Sequence, residues 1–268
     1  MGLLIAGIKL HNYQITQLLN FRMPSTRTIE VLATPADLFR GAAEEFVRLG
    51  RTAIGAQGRF VVALSGGSTP KSLYSLLAEN YADFAWTRTF IFFGDERHVP
   101  PDHPDSNYRM VNEALLTKIA IPAENVHRVP AENPDAAAAA LEYEEELRRF
   151  FELEPGELPR FDLVLLGLGP EGHTASLFPN SPALDEQSRL VVANRVEKFN
   201  TDRITFTFPV LNRAAETMFL VSGAEKADIV RQVLRGDNTP PLPAQRVVPD
   251  DGKLVWMLDE AAAAKLTR

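Results

Sequence analysis

The sequence contains no cysteine. That excludes disulfides, thiol nucleophiles and thiolate metal sites, and it fits a reducing cytoplasm, where such a chain is expected to work. Long apolar runs are also missing. None approaches the roughly 20 residues needed to span a bilayer, and the mean hydropathy is −0.11. There is no basic stripe either. Lysine and arginine total 28 against 35 aspartates and glutamates, a formal net charge of −7 with a pI near 5.4. That balance argues against a nucleic-acid partner but leaves room for a local basic pocket around a small anion. Residues 1–22 lack the basic start and cleavage site of a secretory signal, although 3–8 is apolar. Met23 opens a segment, Met-Pro-Ser-Thr-Arg-Thr-Ile-Glu-Val-Leu, that reads as the first strand. Residues 1–22 are therefore expected to be a dispensable extension and 23–268 a single domain; no internal repeat is found.

What is there is an alternation. Apolar runs at 29–32, 60–64, 89–93, 161–166, 204–208, 217–221 and 254–258 read as strands. Between and after them, 35–49, 70–77, 106–116, 135–151, 209–215, 225–234 and 260–266 read as helices. Such an order predicts a three-layer α/β, Rossmann-like fold with a mainly parallel central sheet. The alanine run 136–140 with Glu142, Glu144, Glu145 and Glu146 reads as a helix with a solvated acidic face and no chemistry.

The richest stretch is Phe161-Asp162-Leu163-Val164-Leu165-Leu166 followed by Gly167-Leu168-Gly169-Pro170-Glu171-Gly172-His173. A mostly apolar run without alternation is a strand covered on both faces, and function in parallel sheets sits at strand carboxyl ends. The three glycines place Glu171 and His173 in a tight loop open to a ligand. The same letters spell Gly167-x-Gly169-x-x-Gly172, a dinucleotide turn. Here Pro179 and Pro182 interrupt the long helix that motif needs, and Glu197 lies too far along to be its acidic partner.

A second loop, Ser65-Gly66-Gly67-Ser68-Thr69-Pro70-Lys71, joins a strand to a helix, with Thr69 expected at the N-cap and Pro70 at the first helical position. Its amides, its hydroxyls and the helix dipole would hold a phosphate; the plainer reading is a well-capped turn. It lacks the Gly-Lys-Ser/Thr ending of a Walker loop. A third, Gly94-Asp95-Glu96-Arg97, follows an apolar strand and should reach the same sheet edge as His173. Asp95 and Arg97 can orient a sugar and its phosphate or form a structural ion pair, and Glu96 reads as structural.

Ser106 is a candidate helix cap. His98 and His103 near Asp102 and Asp105 match no dedicated metal spacing, and His11 and His127 have no supporting context. Arg203 precedes a strand, and Lys226 is expected in a first helical turn, unfavourable for a cation unless an anion sits there too. Ser176 lacks a Gly-x-Ser-x-Gly elbow and reads as structural.

Taken together, Ser65-Gly66-Gly67-Ser68-Thr69-Pro70, Gly94-Asp95-Glu96-Arg97, Ser106-Asn107, the run 167–179, Arg203-Ile204-Thr205, Ser222-Gly223-x-x-Lys226-Ala227, Pro243-Ala244-Gln245 and Trp256 resemble the bacterial 6-phosphogluconolactonases. These lie within a wider group that includes glucosamine-6-phosphate deaminases. The resemblance runs from about residue 26 to the end.

The resemblance implies hydrolysis of 6-phosphoglucono-δ-lactone to 6-phosphogluconate in the oxidative pentose phosphate pathway. It implies no cofactor, no metal and a small phosphosugar lactone as partner, without nucleic acid or membrane; a monomer is compatible with it. His173 would take a proton from the attacking water and return it to the leaving ring oxygen, with amides of the Gly-rich loop as oxyanion donors. Ser65, Gly66, Gly67, Ser68 and Thr69, with Asp95, Arg97, Arg203 and Lys226, would bind the substrate. The pattern usually has Asp where Glu171 stands, which moves the carboxylate one methylene outward.

Rival readings are a sugar-phosphate isomerase or deaminase of the same fold, a noncatalytic phosphosugar-binding protein and a nucleotide-dependent oxidoreductase. The deaminases carry a catalytic Glu five residues after the His, where this chain has Phe178.

Overall fold

The computed structural model describes residues 26–266; the expected extension, 1–22, lies outside them. Seven strands form one sheet: β1 (Thr26–Leu32), β2 (Phe60–Leu64), β3 (Thr89–Phe93), β5 (Val126–His127), β6 (Leu163–Leu166), β9 (Glu216–Val221) and β10 (Lys253–Asp259). Their order is β1-β10-β9-β6-β2-β3-β5 and every pairing is parallel. The strands of the interior, β2, β6 and β9, are buried along their whole length. That is why they lack alternation: both faces are covered.

Helices α1 (Pro35–Gln57), α2 (Ser68–Asn80), α3 (Asn107–Ala114), α4 (Ala136–Phe150), α5 (Phe208–Asn212), α6 (Ala227–Arg235) and α7 (Glu260–Ala263) supply the outer layers. Neighbouring residues of β3 show both layers at once. Phe93 meets Tyr108 of α3 edge-on at 5.9 Å, while Phe92 points the other way, to Phe150 of α4 at 4.9 Å. Each such fully buried ring is worth about 2–3 kcal/mol of transfer free energy. Helix α1 starts at Thr34, whose Oγ1 accepts from Asp37 N at 3.2 Å, and ends on the left-handed Gly58. It runs past the expected end at 49 because its buried stripe continues to Ala53.

The order of the sheet fixes where a ligand belongs. From β2 the chain moves outward to β3 and β5; from β6 it moves the opposite way to β9 and β10. The crevice between the carboxyl ends of β2 and β6 is thus a topological switch point, the usual ligand site of open α/β sheets.

A second, three-stranded antiparallel sheet has the order β4 (Asp95–Arg97), β8 (Thr201–Phe206), β7 (Val191–Val196). The strand expected at 204–208 is β8, and it joins this sheet rather than the central one. Helix α4 also departs from expectation. Glu144 on its acidic stretch is 4% exposed. It accepts from Arg189 Nε at 2.7 Å and Leu190 N at 3.0 Å, tying α4 to the start of β7.

Candidate active site

The carboxyl ends of β2 and β3, beside the switch point, are held from below. Tyr74 of α2 accepts from Ser65 N at 3.1 Å and donates to Ser65 O at 2.8 Å, and Tyr143 of α4 grips Phe93 likewise at 2.8 and 3.1 Å. Burial raises both phenols above their ordinary range, so they stay protonated donors. Above them opens a cleft of about 560 Å³. Ser65, Gly66, Gly67, Ser68, Thr69, Asp95, Arg97, His173, Arg203 and Lys226 all line it. Glu171 stands behind His173, outside the lining.

The histidine loop is closed by its own backbone: Gly172 N donates to Gly169 O at 3.0 Å and Gly169 N to His173 O at 2.9 Å. Gly172 has φ +78°, a conformation that favours glycine, and a Cβ on Gly169 would collide with the His173 ring. These bonds spend two amides that the sequence offered as oxyanion donors. Pro170 has none.

His173 is 20% exposed, stacked on Phe178 at 4.1 Å, with Nδ1 3.0 Å from Glu171 Oε2. The approach lies off hydrogen-bond alignment, and neither atom has a hydrogen-bond partner among the described residues. Glu171 Oε1 meets Lys198 Nζ at 3.2 Å, so the longer side chain still reaches the ring. Burial pushes the imidazole below its ordinary value, partly offset by Glu171. Burial raises the Glu171 carboxyl, but its own amide, His173 and Lys198 outweigh that and leave it below its usual range.

The phosphate-loop expectation changes in detail. The N-cap of α2 is Gly67, with φ +108°, and no side chain caps it; Thr69 and Pro70 lie inside the first turn. Four amides at a helix start have no intrahelical partner. Here they are left for the cleft, apart from the missing N–H of Pro70. Ser65 Oγ is buried without a partner.

Three cations face the same space. Arg97 and Arg203 are directly paired across β4 and β8. Arg97 Nη1 donates to Asp105 O at 2.8 Å and to Asn107 Oδ1. Arg203 lies 5.6 Å over the Phe199 ring with its Nε buried and unpartnered. Burial, then the neighbouring Arg97, hold it below the usual guanidinium range. Lys226 sits in a single 3-10 turn before α6, not in the helix, and donates to Leu168 O at 2.8 Å. None of the three pairs with a carboxylate among the described residues.

Other candidates resolve as structure. Ser176 Oγ donates to Asp95 Oδ2 at 2.6 Å, and Ser106 caps α3 by accepting from Arg109 N at 3.1 Å. His98 Nε2 contacts Asn133 O at 2.6 Å and His103 Nδ1 accepts from Asp105 N at 3.1 Å, so the two serve separate loops. Among the cleft residues not assigned to the site from sequence are Asn107 and Phe199. Asn107 belongs to the Ser106-Asn107 motif of the resemblance but by itself reads as a helix start, and Phe199 is an isolated aromatic with no signal of its own.

Relatives share this arrangement's whole frame. Residues 33–256 match the family described as glucosamine-6-phosphate isomerases/6-phosphogluconolactonase. A 6-phosphogluconolactonase of Nostoc sp. (strain PCC 7120) is 43% identical over 241 residues, 90% of this chain and 99% of the relative. One from Synechocystis sp. (strain PCC 6803) is 44% identical over 214 residues, 80% of this chain and 88% of the relative. The solved structure of the 6-phosphogluconolactonase from Trypanosoma cruzi superposes with a TM-score of 0.82 at 31% identity, covering 93% of this chain and 100% of that one. The chain therefore belongs to the family of glucosamine-6-phosphate isomerases and 6-phosphogluconolactonases.

Proposed function

We propose that the protein hydrolyses 6-phosphoglucono-δ-lactone to 6-phosphogluconate, a step of the oxidative pentose phosphate pathway. Relatives at 43 and 44% identity bear the name of that activity. One observation carries the reading: a single cleft holds a histidine backed by a carboxylate together with three cations that form no ion pair with a carboxylate among the described residues. A lactone with a phosphate at its far end asks for both.

With Nδ1 against Glu171, Nε2 is the ring nitrogen left for the cleft, and the lowered pKa keeps it unprotonated near neutral pH. Water adds to the lactone carbonyl carbon while Nε2 takes its proton. The tetrahedral adduct then collapses, the bond from that carbon to the ring oxygen breaks, and the imidazolium returns the proton to that oxygen. The acid product loses its own proton to solvent. Arg97, Arg203, Lys226, Ser65 and the open amides from Gly66 to Thr69 hold the phosphate. Asp95, fixed by Ser176, faces the sugar hydroxyls.

The deaminase reading needs an acid at position 178, but Phe178 packs on the histidine ring there and supplies no proton. The test is the opening of fresh 6-phosphoglucono-δ-lactone by purified protein without added metal. Wild type should exceed the spontaneous rate, with the acid limb of kcat/KM below pH 6.5, because protonating His173 removes the base. His173→Ala should lose about 10²–10⁴-fold of the acceleration. A wild-type rate equal to buffer alone would end the reading.

A further inference from the structure

The Ser106-Asn107 motif has no task in the scheme above, although Asn107 lines the cleft. Two buried side chains tie it to the cations. Along β4, alternation sends Asp95 and Arg97 to the cleft and Glu96 to the other side, where it is 2% exposed. There the Glu96 carboxylate accepts from Arg97 N at 2.8 Å, Asn107 N at 2.7 Å, Tyr108 N at 2.8 Å and Ser106 Oγ at 3.1 Å. Burial pushes this carboxyl upward, and the three amides pull against it. The Asn107 side chain then reaches back to β4. Its Nδ2 donates to Asp95 O at 2.9 Å, and its Oδ1 accepts from Arg97 Nη1. Gly66 presses on the same amide, since a Cβ there would collide with Asn107 Oδ1.

The brace answers an electrostatic problem. Arg97 and Arg203 stand directly opposite each other across β4 and β8, and like charges in that position repel. A long side chain on a three-residue strand has the freedom to swing into water and escape. Two neutral acceptors, Asn107 Oδ1 and Asp105 O, prevent it. Because they are neutral, Arg97 keeps its whole charge for a ligand; a carboxylate there would hold the side chain and cancel that charge.

We propose that Glu96 and Asn107 form a buried brace that preorganises Arg97 beside Arg203 for a dianionic phosphate, making Asn107 a positioning residue for phosphate selectivity. The proposal rests on the phosphate site of the lactonase reading. Holding two guanidiniums together before the ligand arrives is unfavourable, and a dianion relieves it whereas a neutral hydroxyl does not. The brace therefore acts on the preference for phosphorylated over unphosphorylated sugars, not on lactone chemistry.

The test is calorimetric binding of 6-phosphogluconate and of gluconate to wild type, Asn107→Ala, Arg97→Ala and the double variant, with thermal unfolding as the folding control. Asn107→Ala should cut the preference for the phosphorylated ligand by about tenfold. Since Asn107 acts through Arg97, adding Asn107→Ala to Arg97→Ala should change the preference by less than about twofold, the non-additivity expected of coupled residues. If Asn107→Ala does not fold, Asn107→Ser, also too short to reach Arg97, takes its place in the cycle. Equal losses for both ligands, or additive losses in the double variant, overturn the brace. Binding is read here without turnover, so a wild type that prefers the phosphorylated acid yet fails to open the lactone would sink the lactonase reading and leave the brace standing.

Discussion

The two edges of the central sheet handle charge in opposite ways. At the amino-terminal ends of the strands, charges are matched. Asp162, just before β6, accepts from Val61 N at 2.7 Å and from Gln57 Nε2 at 2.8 Å, with the charges of Arg59 and Arg160 acting on it from nearby. Arg160 and Arg213 converge on Asp251 at 2.6 and 3.3 Å, and Arg48 closes on Glu45. At the carboxyl-terminal ends, Arg97, Arg203 and Lys226 meet backbone carbonyls, one side-chain amide and an aromatic face, but no carboxylate. A protein of net charge −7 thus leaves these three cations without an ion-pair partner among the described residues. Charge matched within the chain serves the fold; charge left over awaits a ligand.

Arg203 offers the largest break of that contrast. Its guanidinium is part-buried with no hydrogen-bond or ion-pair partner among the described residues, so Arg203→Ala removes only its packing on the Phe199 ring and relieves repulsion from Arg97. Binding of 6-phosphogluconate should weaken by about 2 kcal/mol, some thirtyfold, as for loss of a charge-assisted hydrogen bond. The unfolding temperature should hold or rise. A lower unfolding temperature, with gluconate binding weakened as much as that of the phosphorylated acid, would place Arg203 among the structural charges and erase the distinction.

Asp162 is the matching change at the other edge. Asp162→Ala leaves the buried amide of Val61 without its acceptor, a loss of about 1–3 kcal/mol of stability. Denaturant unfolding should record it, while kcat/KM per folded molecule keeps its wild-type value. Falling activity without falling stability would show that the two edges are not independent.

How far the sequence reveals all this follows the same division. Strands β2 and β3 could be bounded to the residue, because an apolar run covered on both faces needs no partner to identify it. His173, the Ser65 loop and Arg97 could be expected on one edge because strand ends in a parallel sheet share it, whereas Arg203, read as preceding its strand, joins them only through the antiparallel pairing of β8 with β4. What escaped is polar and decided by distant contacts. Three charged residues make β4 a strand only because β8 lies beside them. Glu144 looks solvated until Arg189 folds onto it. Thr69 suits an N-cap, yet Gly67 occupies that place and leaves the first-turn amides open, a choice that favours the ligand over the helix. Asn107 could be seen as a helix start but not as a brace, since its partners on β4 come from 10 and 12 residues away.

One residue at the matched edge is out of keeping. Glu216, the first residue of β9, is 2% exposed with Oε1 unpartnered, and burial, followed by the charge of Glu45, pushes its carboxyl up to about 7. A folded-state pKa above the ordinary 4.5 means that the folded protein binds the proton more tightly than the unfolded chain does. Its contribution to stability is whole below pH 4.5 and is lost as pH rises through about 7. Glu216→Gln keeps the shape and cannot ionise. The variant should differ little from wild type at pH 5 and unfold roughly 2–4 °C higher at pH 8, the shift expected for about 1 kcal/mol in a domain of this size. Parallel unfolding temperatures for the two proteins from pH 5 to pH 8 would mean that Lys253 and Arg48 already neutralise Glu216. The amino-terminal edge would then be matched without exception, and the unmatched charges of the cleft would stand out further.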